Sequence, residues 1–188
     1  MPTGSADAAD THAHHGAHEA PALAVLRAQK DEFFRNGAES PLTEAQRTSF
    51  EGLRYFGEDP ALRFVLPLAP SGGGVETIQL SNGATRDMPR VGKFSFVVAG
   101  VPVTLAAFAS EDGSTFVPFR DATSATETYG AGRYVEAEAS PDGSWVLDFN
   151  RAYNPFCAYD DCWSCPLPPR ENWLAVPIRA GEQLPTLT

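Results

Sequence analysis

Three cysteines, Cys157, Cys162 and Cys165, fall in one irregular stretch, DFNRAYNPFCAYDDCWSCPLPPRENWLAVPIR from Asp148 to Arg179. Thiolates grouped this closely could hold a soft metal, pair as a disulfide or supply a nucleophile, whereas buried thiols otherwise behave as small hydrophobes. The Cys-x4-Cys-x2-Cys spacing is that of plant-type iron–sulfur proteins, which need a fourth Cys. None exists here, and Asp160, Asp161 or water would have to complete a three-thiolate site. No metal is therefore expected, and Cys157, close in sequence to Arg151, is the candidate nucleophile.

A second polar stretch runs from Phe119-Arg120-Asp121 to Gly130-Ala131-Gly132-Arg133, a loop of about a dozen residues in a chain whose other turns are short. Arg120, Arg133 and Arg151 are suited to bidentate recognition of an anion, with Tyr129, Tyr153, Asn150 and Asn154 orienting it. Asp121, Cys157, Cys165, Glu171 and Asn172 complete the candidate binding set. Asp121, Glu127 and Asp148 are candidate acid–base groups, alongside Cys157. The bland alternative for Arg120, Asp121, Glu127 and Arg133 is a set of ion pairs that pin the loop. Gly-Ala-Gly-Arg matches neither the dinucleotide fingerprint nor a phosphate loop, so any cofactor stays unknown. All four histidines, His12, His14, His15 and His18, lie in the first 20 residues. That leaves no histidine for a catalytic triad, a Cys-His dyad or a His-ligated zinc in the expected folded body.

The elements that must position these residues follow from periodicity. Residues 1–20 have almost nothing to bury and are expected to be a disordered tail; residues 21–188 are expected to form a single β-rich domain. Leu23, Leu26, Phe33 and Phe34 recur at helical spacing as far as Gly37. Ser40-Pro41 then predicts the cap of a second helix reaching about Tyr55. After Pro60 short strands alternate with turn signals: Leu62–Leu68, Glu76–Leu80, Lys93–Val98, Val101–Ala107, Thr115–Phe119, Arg133–Ala139, Trp145–Phe149 and Leu174–Ile178. Asn82-Gly83, Ala99-Gly100, Asp112-Gly113 and Asp142-Gly143 are the hairpin signals. The expected architecture is mainly β: about eight antiparallel strands in a barrel, or else a sandwich, with an N-terminal helical pair.

A formal charge of −10 argues against wrapping nucleic acid, which needs clustered Lys and Arg. No run reaches the roughly 18 apolar residues of a membrane span, and the opening MPTGSADAAD has no basic or apolar block. A soluble, acidic, cytoplasmic protein without nucleic-acid or membrane partners is expected. Pro166-Leu167-Pro168-Pro169 has a PxxP spacing that fits an SH3-type protein partner or a stiff return segment; the partner is otherwise unknown.

Several runs together carry a resemblance: Ser40-Pro41-Leu42, Phe50-Glu51-Gly52-Leu53-Arg54-Tyr55-Phe56, Arg120-Asp121-Ala122-Thr123-Ser124, Glu127-Thr128-Tyr129-Gly130-Ala131-Gly132-Arg133-Tyr134 and Asp148 to Pro155, with Cys157-Ala158-Tyr159, Cys165 to Pro169 and Glu171-Asn172. Over about residues 23–183 the chain resembles the domain of unknown function 1684 family, mainly prokaryotic and without an established activity. The resemblance implies cysteines at Cys157 and Cys165 but none at Cys162, which singles out the first two as a unit. It assigns no catalytic residue. The reading that residue chemistry favours is a small polar or anionic ligand bound at one mouth of a barrel. A carboxylate- or Cys-dependent hydrolase or lyase and a protein-interaction module are the alternatives.

Overall fold

The computed structural model describes residues 22–186, so the expected histidine tail lies outside the described residues. Helix α1 (Leu23–Asn36) ends at Gly37 and buries Phe34 completely. The second helix is shorter than its sequence signal. Helix α2 spans only Glu44–Ser49 and is capped by Thr43 in a reciprocal box with Gln46, so Ser40 is not its cap. Ser40 instead closes the end of α1, its hydroxyl donating to the Phe34 carbonyl at 2.6 Å. Past α2 the chain is extended, and the Leu53 N–H donates to the Asp31 carboxylate of α1 at 2.9 Å.

Seven strands follow: β1 (Arg63–Leu66), β2 (Val75–Gln79), β3 (Thr85–Val98), β4 (Val101–Ala109), β5 (Thr115–Phe119), β6 (Arg133–Ala139) and β7 (Trp145–Asp148). They lie in the order β1-β7-β6-β5-β4-β3-β2, every neighbour antiparallel. All four dipeptide turn signals fall between strands; Ala99 and Gly100 have φ of 48° and 81°, as a two-residue hairpin turn with matching twist requires. The sheet is not a closed ladder. A single bridge, Ala69 to Lys93, ties the chain after β1 to β3 through bonds of 3.0 and 2.9 Å.

The expected last strand, Leu174–Ile178, is the main departure. Its side chains alternate as a strand's would, with Leu174, Val176, Ile178 and Ala180 buried, yet it joins no ladder. Pro177 has no N–H to donate, and the segment touches the 120–122 backbone only at Leu174 N–H to Arg120 O (2.8 Å) and Ala122 N–H to Val176 O (3.1 Å). Arg133 holds it instead. The guanidinium donates to the carbonyls of Ile178 (2.7 Å), Ala180 (2.5 Å) and Glu182 (2.9 Å), and to Asp121 Oδ2 at 2.8 Å. Both Arg133 and Asp121 side chains are 1% exposed.

Both faces of the sheet are covered. Phe94, Phe96, Leu105, Val117, Phe119, Val135, Leu147 and Phe149 pack on the inner face with the C-terminal strap. On the outer face Ile78, Met88, Ala106, Phe108, Phe116 and Tyr134 meet Cys165, Cys157, Tyr153, Phe156 and Trp163. This is why β4 and β5 bury consecutive residues where a one-sided sheet would alternate. The helical pair packs on the far side of the same cysteine segment, Phe34 and Leu42 against Tyr159. Beyond the Phe108–Phe116 pair β4 and β5 part, and the side chain of Asn172 fills the gap. Its Nδ2 donates to Ala106 O and Pro118 O at 2.9 and 2.7 Å, and its Oδ1 accepts from Ala106 N–H at 2.7 Å.

Arg133→Met removes the strap's anchor and leaves Asp121 as a buried, unpaired charge. A loss of about 3–5 kcal/mol of folding stability is expected, read as a lower urea midpoint. A midpoint within error of the parent would contradict the anchoring role.

Candidate functional site

The cysteine segment roofs the outer face without filling it. A cleft of about 690 Å³ remains, floored by Met88, Phe116, Tyr134, Tyr153, Phe156 and Cys165 and walled by Trp163, Pro155 and Pro166. Its volume falls in the range of small-molecule sites. The charged lining residues are Arg86 against Asp87, Glu111, Asp112 and Glu136, so the rim is acidic. The roof is fastened at both ends. Tyr134 Oη donates to Pro166 O at 2.6 Å, and Leu167 N–H donates to Gln79 O of edge strand β2 at 2.7 Å. Tyr153 exchanges backbone bonds with Tyr134 at 2.8 and 2.9 Å and donates its hydroxyl to Glu136 at 3.0 Å. Burial foremost, then Glu136, pushes the Tyr153 phenol up.

A smaller cavity of about 220 Å³ lies between α1 and the chain after β7, lined among others by Arg27, Lys30, Tyr55, Asn150, Arg151, Tyr153 and Glu182. Lys30 Nζ pairs with the buried Glu182 at 2.5 Å, and Arg27 stacks over the Tyr55 ring at 4.4 Å. Arg27 Nε and Nη2, with Tyr55 Oη, are buried and take no hydrogen-bond partner among the described residues.

The thiols lie at the seam between roof and sheet. Cys157 N–H donates to Cys165 Sγ at 3.4 Å, and Tyr129 Oη donates to Cys157 O at 3.1 Å and lies 3.8 Å from its Sγ. Cys165 N–H donates to Ser81 Oγ at 3.0 Å. The Cys165 thiol as donor, with Ser81 and Tyr129, outweighs burial and brings the Cys157 thiol down to about 6. Losing that proton makes the second loss harder, so the Cys165 thiol is pushed up. Cys162 stands apart, exposed, its thiol raised by Asp160. Among the described residues no group of three or more His, Cys, Asp or Glu side chains is placed to hold a metal.

The polar residues singled out from sequence are dispersed through the structure. Arg120 stacks on Trp173 at 4.1 Å, and Arg151 pairs with Glu138. Asp121 is taken by Arg133 and by the Thr123 amide and hydroxyl, Glu127 by Arg179, and Asp148 by the Asn150 amide. Asn150 pairs with both backbone groups of Asp59 at 2.8 and 2.9 Å, and Asn154 Nδ2 reaches Gln183 O at 2.9 Å. Glu171 grips Arg90 in a two-pronged pair at 2.5 and 2.7 Å. Tyr153, Asn154 and Cys165 line the larger cleft, and Asn150, Arg151 and Tyr153 the smaller. Met88, Phe116, Phe156 and Trp163 escaped sequence reasoning because apolar residues carry no chemical flag. Arg27 and Lys30 left one sign, an i, i+3 pair of cations on a helix.

Comparison with known proteins places the chain among uncharacterised relatives. A family model described as "Protein of unknown function (DUF1684)" matches residues 48–183. An uncharacterised protein of Haloarcula marismortui, solved by solution NMR, is similar at 39% identity and a TM-score of 0.67, over 86% of this chain and 91% of that one. No curated protein matches the chain. Among the described residues no helix is long and apolar enough to cross a membrane.

With its thiol at about 6, Cys157 is mostly thiolate at neutral pH. Its alkylation by iodoacetamide, followed by peptide mass mapping, should be nearly flat from pH 7 to 9 and fall about tenfold per unit below pH 6, while Cys162 slows steadily with falling pH from 9. Parallel profiles for the two would show that the local donors do not act on Cys157.

Proposed function

We propose that this chain, which belongs to the DUF1684 family, binds a small molecule in the cleft under the cysteine segment. The observation that carries this reading is the open cleft of about 690 Å³ beside the cysteine segment, with aromatic and sulfur-bearing side chains on its floor and polar residues at its rim. A concave, largely apolar cleft of this size with fastened walls is of the kind that takes small molecules. The four rim carboxylates against one arginine favour a flat apolar body carrying neutral or cationic groups over an anion. The reading departs from three converging arginines, which the larger cleft does not contain.

The smaller cavity supports a second reading, which keeps the anionic ligand. Nε and Nη2 form the edge of a guanidinium that grips a carboxylate or phosphate side-on. In Arg27 both are unpartnered among the described residues, as is the neighbouring Tyr55 hydroxyl.

Ligand-observed NMR with neutral, cationic and anionic aromatic fragments distinguishes the readings. Neutral and cationic fragments are expected to bind at micromolar to millimolar concentration, and Ala109→Trp, which fills the cleft from its rim, should abolish binding with an unchanged melting temperature. Fragments that bind this variant as well as the parent would remove the cleft from consideration. For the smaller cavity, inorganic phosphate and acetate should raise the melting temperature of the parent but not of Arg27→Gln; equal shifts in both would rule that site out.

A further inference from the structure

We propose that Cys157 and Cys165 form a redox-active dithiol, with Cys157 the attacking sulfur and Cys165 the resolving one, which closes to a disulfide on reaction with a hydroperoxide. Geometry divides the roles. Cys157 is half-buried, while Cys165 is 8% exposed and already touches the Cys157 backbone amide at 3.4 Å. The segments that carry them differ in kind. Cys157 lies on the short turn Phe156–Ala158, whereas Cys165 is fixed to the hairpin turn that follows edge strand β2 through two bonds to Ser81, 2.9 and 3.0 Å long. Seven residues lie between them, so the bridge closes a short loop and needs a swing of the turn, not of the sheet. The Cys157 sulfur has the Tyr129 hydroxyl 3.8 Å away and the Cys165 sulfur against its own backbone amide, polar surroundings that an inert apolar thiol would not have.

The chemistry balances with hydrogen peroxide as the two-electron oxidant. The Cys157 thiolate attacks one peroxide oxygen; an S–O bond forms, the O–O bond breaks, and the hydroxide that leaves is protonated to water. Cys157 is then a sulfenic acid. Cys165 gives up its thiol proton and its sulfur attacks Cys157 Sγ; the S–S bond forms, the S–O bond breaks, and the second hydroxide takes that proton as water. Two thiols and one peroxide give one disulfide and two waters, and an external dithiol reverses the change. Tyr129, whose hydroxyl lies 3.8 Å from the Cys157 sulfur and donates to the Cys157 carbonyl, is a positioning residue for that turn.

The test uses the full chain, reduced, desalted and treated with hydrogen peroxide, with thiols blocked by iodoacetamide before peptide mapping. The expected product is a Cys157–Cys165 linked peptide, lighter by two hydrogens, with Cys162 still free to be alkylated. In Cys165→Ser the reaction should stop at a Cys157 sulfenic acid that dimedone traps, and Cys157→Ser should consume no peroxide at the pair. Tyr129→Phe, which loses only a hydroxyl, should slow the first step several-fold and shift its pH profile upward. A wild-type map in which Cys162 is the oxidised residue, or in which no intramolecular disulfide forms before unfolding, overturns the proposal. The wild-type map decides the matter even if a variant fails to fold.

Discussion

The guanidinium of Arg133 is the contact on which the C-terminal third of the molecule hangs. A chain segment carrying Pro177 cannot complete a ladder, and an extended backbone buried without partners would leave several carbonyls unsatisfied at about 1–3 kcal/mol each. One planar fork answers three of them, at Ile178, Ala180 and Glu182. Asp121 balances the charge, and burial lowers the arginine's proton affinity against that pairing. The backbone makes room for this. Gly132, with φ of 111°, brings the chain so close that a Cβ there would lie 2.6 Å from Phe119 O and 2.7 Å from Pro168 Cγ. The loop before β6, the strap and the proline run thus meet at one point.

Holding the strap on the inner face frees the cysteine segment to cover the outer one. That segment is bonded to the sheet along lines rather than over an area: Tyr153 to Tyr134 of β6, and Leu167 to Gln79 of β2 with Cys165 to Ser81 in the turn that follows. Between those lines stay the cleft and the paired thiols. The cover crosses the outer face as irregular chain with the single 3-10 turn Phe156–Ala158, and the same irregularity lets the Cys157 amide point at the Cys165 sulfur.

Much of the fold was legible and little of the candidate site was. Strands and hairpins announce themselves through alternation and through Asn-Gly, Asp-Gly and Ala-Gly turns, because both are local constraints. Helix α2 begins late because the Thr43–Gln46 box, less conspicuous than Ser40-Pro41, is the cap, and it stops at Ser49, ahead of an extended Phe50 and Gly52 at positive φ. The polar residues misled for a different reason. Asn172, Asn150, Asp121 and Arg133 have the side chains of a binding site, yet each satisfies backbone groups at a place where strands part or chains cross. Amides and guanidinia mimic the peptide group, so a fold with many irregular joints uses them in the same way that a ligand site would.

By itself the sequence determined a mainly antiparallel β domain behind a helical pair, the position of every tight hairpin, and a cysteine segment too aromatic to be a linker. These rest on neighbours within a few residues of one another, where sterics and hydrogen-bond geometry leave few choices. Only the tertiary structure decided that the last extended segment is strapped by Arg133 instead of laddered, that the sheet is covered on both faces, and that Cys157 meets Cys165 while Cys162 does not. Those outcomes depend on which distant groups compete for the same buried donors and on how much volume two layers leave between them. Neither quantity exists until the chain has closed on itself.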